Sequence, residues 1–218
     1  MNGFERPRRA LVFDLDGTLV DSLPDIVWSF RAAFEAEGLP VPADDDVRAR
    51  IGLPLEDMAA DFTDDEGEIR AVCDAYRRIY PDHFTERTRP FPGAVEVLRE
   101  LRERGWLLAV ATTKRSSMAT RLVAALGLDV QLDHVQGTDG FPHKPAPDVI
   151  LAALSALRAE GAWMVGDTVT DLQAGRAAGL RTFGVSWGTH DARRLAEVAP
   201  DHLAGDLWPL LELVPDLR

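Results

Sequence analysis

The apolar residues fall into two alternating textures. Ala10-Leu11-Val12-Phe13 is an unbroken apolar run that stops at Asp14, the pattern of a short strand buried on both faces. Ile26, Phe30, Ala33 and Phe34 then recur at helical spacing, and Gly38, Pro40 and Pro42 end that helix. From residue 43 to residue 89 the period stays helical, carried by Met58 and Phe62 and then by Val72, Tyr76 and Ile79, with no strand pattern among them. The texture changes at Pro90-Phe91-Pro92-Gly93. Ala94, Val97, Leu98 and Leu101 predict a helix closed by Gly105, and residues 106–111 a buried strand. Met118, Leu122, Ala125 and Leu126 predict the next helix, and Ile150, Leu154 and Leu157 another, with Pro147 in its first turn. Strands at 163–165 and 181–185 flank a helix over 170–178.

Strand and helix in alternation predict an α/β fold: a Rossmann-like, doubly wound core around a parallel sheet. The helical block interrupts it after the first strand. The expected division is a core of residues 1–17 and 90–218 and an inserted all-helical cap of residues 18–89, with linkers near 18–22 and 85–92.

Charge narrows the partners. The net charge is −12, which disfavours nucleic acid and anionic lipid, since both are bound by clustered Lys and Arg. No apolar run approaches the roughly 20 residues of a membrane span. Residues 1–10 carry three arginines without a following secretory apolar stretch, so no signal peptide is expected. A single cysteine, Cys73, excludes an internal disulfide and fits a reducing cytoplasm. Only two lysines, Lys114 and Lys144, stand against 22 arginines. An arginine-biased composition makes each one a candidate for a place where a compact point charge is needed rather than a planar fork.

In a doubly wound sheet, ligands bind beyond the carboxyl ends of the strands. Asp14 and Asp16 follow the first strand, Thr112 and Thr113 the second, and Asp167 and Asp171 the 163–165 strand, with Lys144 in the loop before Pro147. Four carboxylates gathered at one edge repel one another unless a cation sits among them. Oxygen ligands without Cys or His favour Mg²⁺ over zinc. Beside Mg²⁺, a carboxylate can attack phosphorus and form an aspartyl-phosphate while a second acid protonates the leaving group. Lys144, the Thr112 hydroxyl and backbone N–H groups would stabilise the developing charge, and Gly17 would let the backbone approach the phosphate.

Asp14-Leu15-Asp16-Gly17-Thr18, Thr112, Lys144-Pro145 and Gly166-Asp167-Thr168-Val169-Thr170-Asp171 resemble the four ordered motifs of the haloacid dehalogenase superfamily. The insert is similar to that family's C1 cap. Pro24-Asp25, Gly52-Leu53-Pro54-Leu55, Pro92-Gly93 and Lys144-Pro145-Ala146-Pro147-Asp148 resemble its phosphoglycolate phosphatase branch. The resemblance implies Asp14 as nucleophile and metal ligand. It implies Asp16 as general acid/base that lends its backbone carbonyl to the metal, Asp167 as the third protein ligand, and Asp171 as a support through a metal-bound water or Lys144. One departure stands at Thr113, where that branch often has asparagine.

The implied enzyme is a Mg²⁺-dependent phosphatase acting on a small phosphorylated metabolite. Asp16 argues against the dehalogenases, which lack the second aspartate. The absence of lysine between residues 18 and 90 argues against the phosphonate-cleaving members. A phosphosugar mutase of the same motifs, a phosphoacceptor signalling protein and a non-catalytic binding protein remain as alternatives. In the cap, Arg48, Arg50, Arg87 and Arg89 are candidate substrate contacts, with Arg50 the first choice for a carboxylate or second phosphate. Trp187-Gly188-Thr189 is placed at the rim or in the core, His143 is read as a loop residue, and the oligomeric state is left open.

Overall fold

A computed structural model describes residues 8–218; residues 1–7, which hold most of the N-terminal segment considered above, lie outside it. The chain runs β1 (Arg9–Phe13), β2 (Val20–Asp21), α1 (Leu23–Ala36), α2 (Asp44–Arg48), α3 (Leu55–Ala60), α4 (Glu66–His83) and β3 (Arg89–Pro90). It continues through α5 (Ala94–Glu103), β4 (Leu107–Ala111), α6 (Ser116–Ala125), β5 (His134–Gln136), α7 (Asp148–Leu157) and β6 (Glu160–Gly166). It closes with α8 (Val169–Ala177), β7 (Arg181–Val185), α9 (Ala192–Ala196), β8 (His202–Ala204) and α10 (Leu210–Leu213).

Six strands form one sheet in the order β5-β4-β1-β6-β7-β8, and every pairing in it is parallel. The apolar run of β1 is explained by its central place. Leu11 and Phe13 point into a large core with Leu98, Leu101, Leu122 and Val165. Ala10 and Val12 point to the other face, where Val149, Ile150 and Ala153 of α7 cover them. Burial on both faces leaves no position for a polar residue until the strand ends. The first polar side chains after β1, β4 and β6 are therefore Asp14, Thr112 and Asp167, and parallel pairing sets all three at the same edge.

Helices α1 to α4 lie between β2 and β3, and no strand longer than an isolated bridge interrupts them. The stripe read from the sequence is what they bury. Phe30 and Phe34 of α1 each lie 5.8 Å, centroid to centroid, from Phe62, and Tyr76 of α4 stacks on Tyr80 at 5.1 Å. The two ends of the helical block meet in a small antiparallel ribbon, with Val20 opposite Pro90 and Asp21 opposite Arg89. Asp25 locks that junction. Its buried carboxylate accepts hydrogen bonds from the N–H groups of Arg87 and Thr88, both at 2.9 Å, and from Thr88 Oγ1 at 2.8 Å.

The structure adds elements that periodicity does not reveal. β5 and β8 are three-residue strands, His-Val-Gln and His-Leu-Ala, of half-buried residues at the sheet's two edges. The β2–β3 ribbon falls in what the sequence presents only as linkers. Among the described residues no helix is long and apolar enough to cross a membrane.

Cys73 is 1% exposed on α4, and burial pushes its thiol up to about 11. A protonated, buried thiol is a poor nucleophile. Native protein at pH 7.5 is expected to resist iodoacetamide, and denatured protein to be alkylated at once. Mass spectrometry of the intact chain reads both states, and rapid labelling of native protein would contradict the packing.

Candidate active site

The turn after β1 is built around Asp14. Its backbone N–H donates to Val165 O at 2.8 Å, which fixes it against the end of β6. Gly17 then turns the chain with φ +89°, a conformation that L side chains rarely adopt. A Cβ there would also stand 2.3 Å from Asp167 Oδ2. Gly188 closes on the same carboxylate from the other side, where a Cβ would again meet Oδ2 at 2.3 Å. Two glycines therefore let two loops approach the Asp167 carboxylate.

Asp167 is wholly buried, accepting from Thr18 Oγ1 at 2.8 Å and from Thr189 N–H at 2.7 Å. Asp171 is held by a capping box at the start of α8: Thr168 N–H donates to its Oδ2 at 3.0 Å and Thr168 Oγ1 at 2.5 Å. Lys144 reaches over both. Its Nζ donates to Asp14 Oδ1 at 2.7 Å and to Asp171 Oδ1 at 2.6 Å, with only 1% of the side chain exposed. One carboxylate oxygen each from Asp14, Asp167 and Asp171 lie within 4.8 Å of one another.

Two carboxylates thus share one ammonium, and a third lies beside them without a cation. Burial raises the Asp14 carboxyl well above its ordinary value; Lys144 opposes that, and Asp171 and Asp167 add to it. Burial and the Asp171 charge push Asp167 up to about 7, against the hydrogen bonds from Thr189 and Thr18. Burial alone would depress Lys144, but Asp14 and Asp171 more than reverse this and raise it. The pattern is that of a carboxylate pocket short of positive charge. Its donors are all oxygen, which suits a hard divalent cation.

Asp16 stands apart from this cluster. Its carboxylate accepts from Ser22 Oγ at 2.5 Å and pairs with Lys114 Nζ at 3.1 Å. Thr112 is buried at the end of β4, its N–H on Gln136 O and its Oγ1 accepting from Lys114 N–H at 3.3 Å. Thr113 lines the cavity above Asp14 and Asp16, which measures about 520 Å³. The opposite wall comes from the helical block, including Ile51, Leu55, Met58 and Tyr80.

The sheet edge therefore brings together Asp14, Asp16, Gly17, Thr18, Thr112, Thr113, Lys144, Asp167 and Asp171. It does not bring in Arg50. That guanidinium lies on Asp61 at 2.6 Å, on Asp46 O at 2.7 Å and over the Phe62 ring, tying α2 to the end of α3. Arg89 is spent on the carbonyls of Thr85, Glu86 and Thr88. Neither Arg48 nor Arg87 lines the cavity; its arginines are Arg77 and Arg115. Arginine next to a turn is too common a pattern to separate these cases. Ser22 and Tyr80 also escape sequence reading, and Thr189 is legible there only as part of a rim-or-core segment. Each acts through a contact made across the fold, and a lone hydroxyl or N–H leaves no mark in the sequence.

The profile of the haloacid dehalogenase-like hydrolases matches residues 11–185. The chain belongs to that family. A probable phosphatase, IndB, of Dickeya dadantii is 40% identical over 199 residues, covering 87% of this chain and 86% of its own. A phosphoglycolate phosphatase of Vibrio cholerae is 31% identical over 218 residues, covering 94% and 96%. A haloacid dehalogenase-like hydrolase from Streptococcus pneumoniae has the same fold at a TM-score of 0.86 and 30% identity, covering 94% of this chain and 98% of that one. The α/β reading and the family resemblance both hold.

Two substitutions test the geometry. Gly17→Ala is expected to cost about 1–2 kcal/mol of stability from its left-handed backbone alone, read from denaturant unfolding; an unchanged midpoint would contradict the packing against Asp167. Lys144→Arg keeps the charge but puts a planar fork into a slot fitted to an ammonium. A loss of about 100-fold or more in hydrolytic turnover is expected, as for removal of one stabilising donor. A near wild-type rate would show that charge alone suffices.

Proposed function

We propose that this hydrolase is a Mg²⁺-dependent phosphatase that removes phosphate from a small metabolite through a phospho-Asp14 intermediate. The observation that carries this reading is the Asp14–Lys144–Asp171 bridge beside Asp167. It sets a nucleophile, a fixed positive charge and an oxygen-only donor set at one point. Residues 1–17 and 90–218 act as the catalytic core, and residues 18–89 as a cap that closes over the cavity.

Asp14, Asp167 and the backbone carbonyl of Asp16 would hold the cation, with Asp171 supporting it. Mg²⁺ there supplies charge neutralisation for the phosphate and for the crowded carboxylates. In the first half-reaction an oxygen of Asp14 attacks phosphorus. The bond to the bridging oxygen breaks, and the Asp16 carboxyl gives that oxygen its proton. In the second, the Asp16 carboxylate takes a proton from water as the water oxygen attacks phosphorus. The Asp14–phosphate bond breaks, inorganic phosphate leaves and both carboxyl groups return to their starting states. Lys144 favours the ionised form of Asp14 and places it, while Thr112 and the N–H groups near Thr113 bind the phosphate oxygens. Gly17 and Thr18 hold the turn and Asp167 in register.

The substrate is phosphoglycolate-like, in keeping with the motifs shared with that branch and with the name of the Vibrio relative. The acidic surface makes nucleic acid and anionic membrane poor partners. One buried thiol without a disulfide partner suits the cytoplasm.

Asp14→Asn is expected to abolish phosphate release while circular dichroism stays native; appreciable turnover would remove Asp14 as nucleophile. EDTA is expected to stop the wild-type reaction and added Mg²⁺ to restore it. Turnover that survives exhaustive chelation would contradict the metal assignment.

A further inference from the structure

Lys114, the other lysine of the chain, has no part in the steps above, yet it is built into the site. Its side chain is only 10% exposed. Its Nζ donates to Tyr80 Oη at 2.9 Å and pairs with Asp16 Oδ2 at 3.1 Å, 4.6 Å from the centre of the Tyr80 ring. The backbone is fixed as well, since Lys114 O accepts from Thr138 N–H at 3.1 Å. An ammonium has three N–H donors. Two have partners here, and Lys114 lines the cavity.

The contact with Asp16 places this charge relative to the reaction. Asp16 protonates the bridging oxygen, so that oxygen must come within one hydrogen bond of the Asp16 carboxyl. Lys114 is one contact further along the same carboxyl. The atoms within its reach are therefore those that follow the bridging oxygen in the leaving group. Other charges of the cavity are differently disposed. Arg77 is paired with Glu56 and Asp74, Arg115 makes no hydrogen bond or ion pair with Asp16, and Lys144, outside the lining, is enclosed by Asp14 and Asp171. Leu53, Leu55, Met58 and Met118 present apolar surface.

We propose that Lys114 is a specificity-determining residue whose ammonium receives an anionic group attached one or two atoms from the scissile bridging oxygen. This rests on the phosphatase reading. A carboxylate on the next carbon and a second phosphate on the bridging oxygen share that chemistry. Tyr80, on α4, holds the lysine from the cap side, so recognition draws on both parts of the molecule.

The test compares kcat/KM for phosphoglycolate, pyrophosphate, uncharged-tail ethyl phosphate and a reactive aryl phosphate, in wild type and Lys114→Gln. Wild type is expected to prefer at least one of the two anionic-tail substrates over ethyl phosphate by about tenfold or more; which one identifies carboxylate or phosphate. Loss of one charge-assisted hydrogen bond should lower that preference roughly ten- to a hundredfold in Lys114→Gln. If Lys114 only positions Asp16, each ester slows according to how much its leaving group needs a proton and the preference for an anionic tail does not fall, which overturns the proposal. A wild type with no preference overturns it too. Failure of wild type to release phosphate from any of the four, the aryl ester included, instead overturns the phosphatase reading. Should Lys114→Gln be too slow to assay, the same ratio is read as dissociation constants by calorimetry in Asp14→Asn and in Asp14→Asn/Lys114→Gln. Equal ratios in those two proteins contradict the proposal.

Discussion

Everything at the site depends on one ammonium held between two buried carboxylates. Lys144 sits 2.7 Å from Asp14 and 2.6 Å from Asp171, and removing it would leave two buried carboxylates side by side with no counter-charge. The arrangement compensates two negative charges with one positive and leaves Asp167, wholly buried, with hydrogen bonds but no cation. A fold does not keep such an imbalance for stability, because apolar residues of the same volume would pack at lower cost. It fits a buried oxygen-donor cluster that could hold a hard cation.

The sheet delivers these groups to one place. Asp14, Thr112 and Asp167 end three adjacent parallel strands, β1, β4 and β6, so their positions follow from strand register rather than from loop conformation. Lys144 and Asp171 come from the loop before α7 and the first turn of α8. Gly17 and Gly188 let the loops come near enough to enclose Asp167. The helical block, joined through the β2–β3 ribbon and fastened by Asp25, forms the far side of the cavity. The acidic cluster sits at the sheet edge, and the cavity beside it is walled by both the sheet edge and the helical block.

The same division sets what the sequence discloses. Strands buried on both faces, such as 10–13 and 181–185, are visible because burial forbids polar residues within them. The aspartates that end them are visible because they break those runs. β5 and β8 are too short and too half-buried to carry a period. Isolated cations are harder still. Arg50 and Lys114 are both cations near turns, yet one braces α2 against Asp61 while the other meets Asp16. Only the fold tells them apart. The lysine count came nearest, since the two lysines among 24 Lys and Arg residues both meet site aspartates.

The central claim is that phosphate passes through Asp14. Rapid quenching during turnover of an ester, followed by borohydride reduction, converts an acyl phosphate on aspartate to homoserine, which peptide mass spectrometry locates. The account predicts homoserine at position 14, absent without substrate and absent with EDTA. Reduction at another carboxylate, or product formed with no reducible intermediate at any quench time, would contradict it.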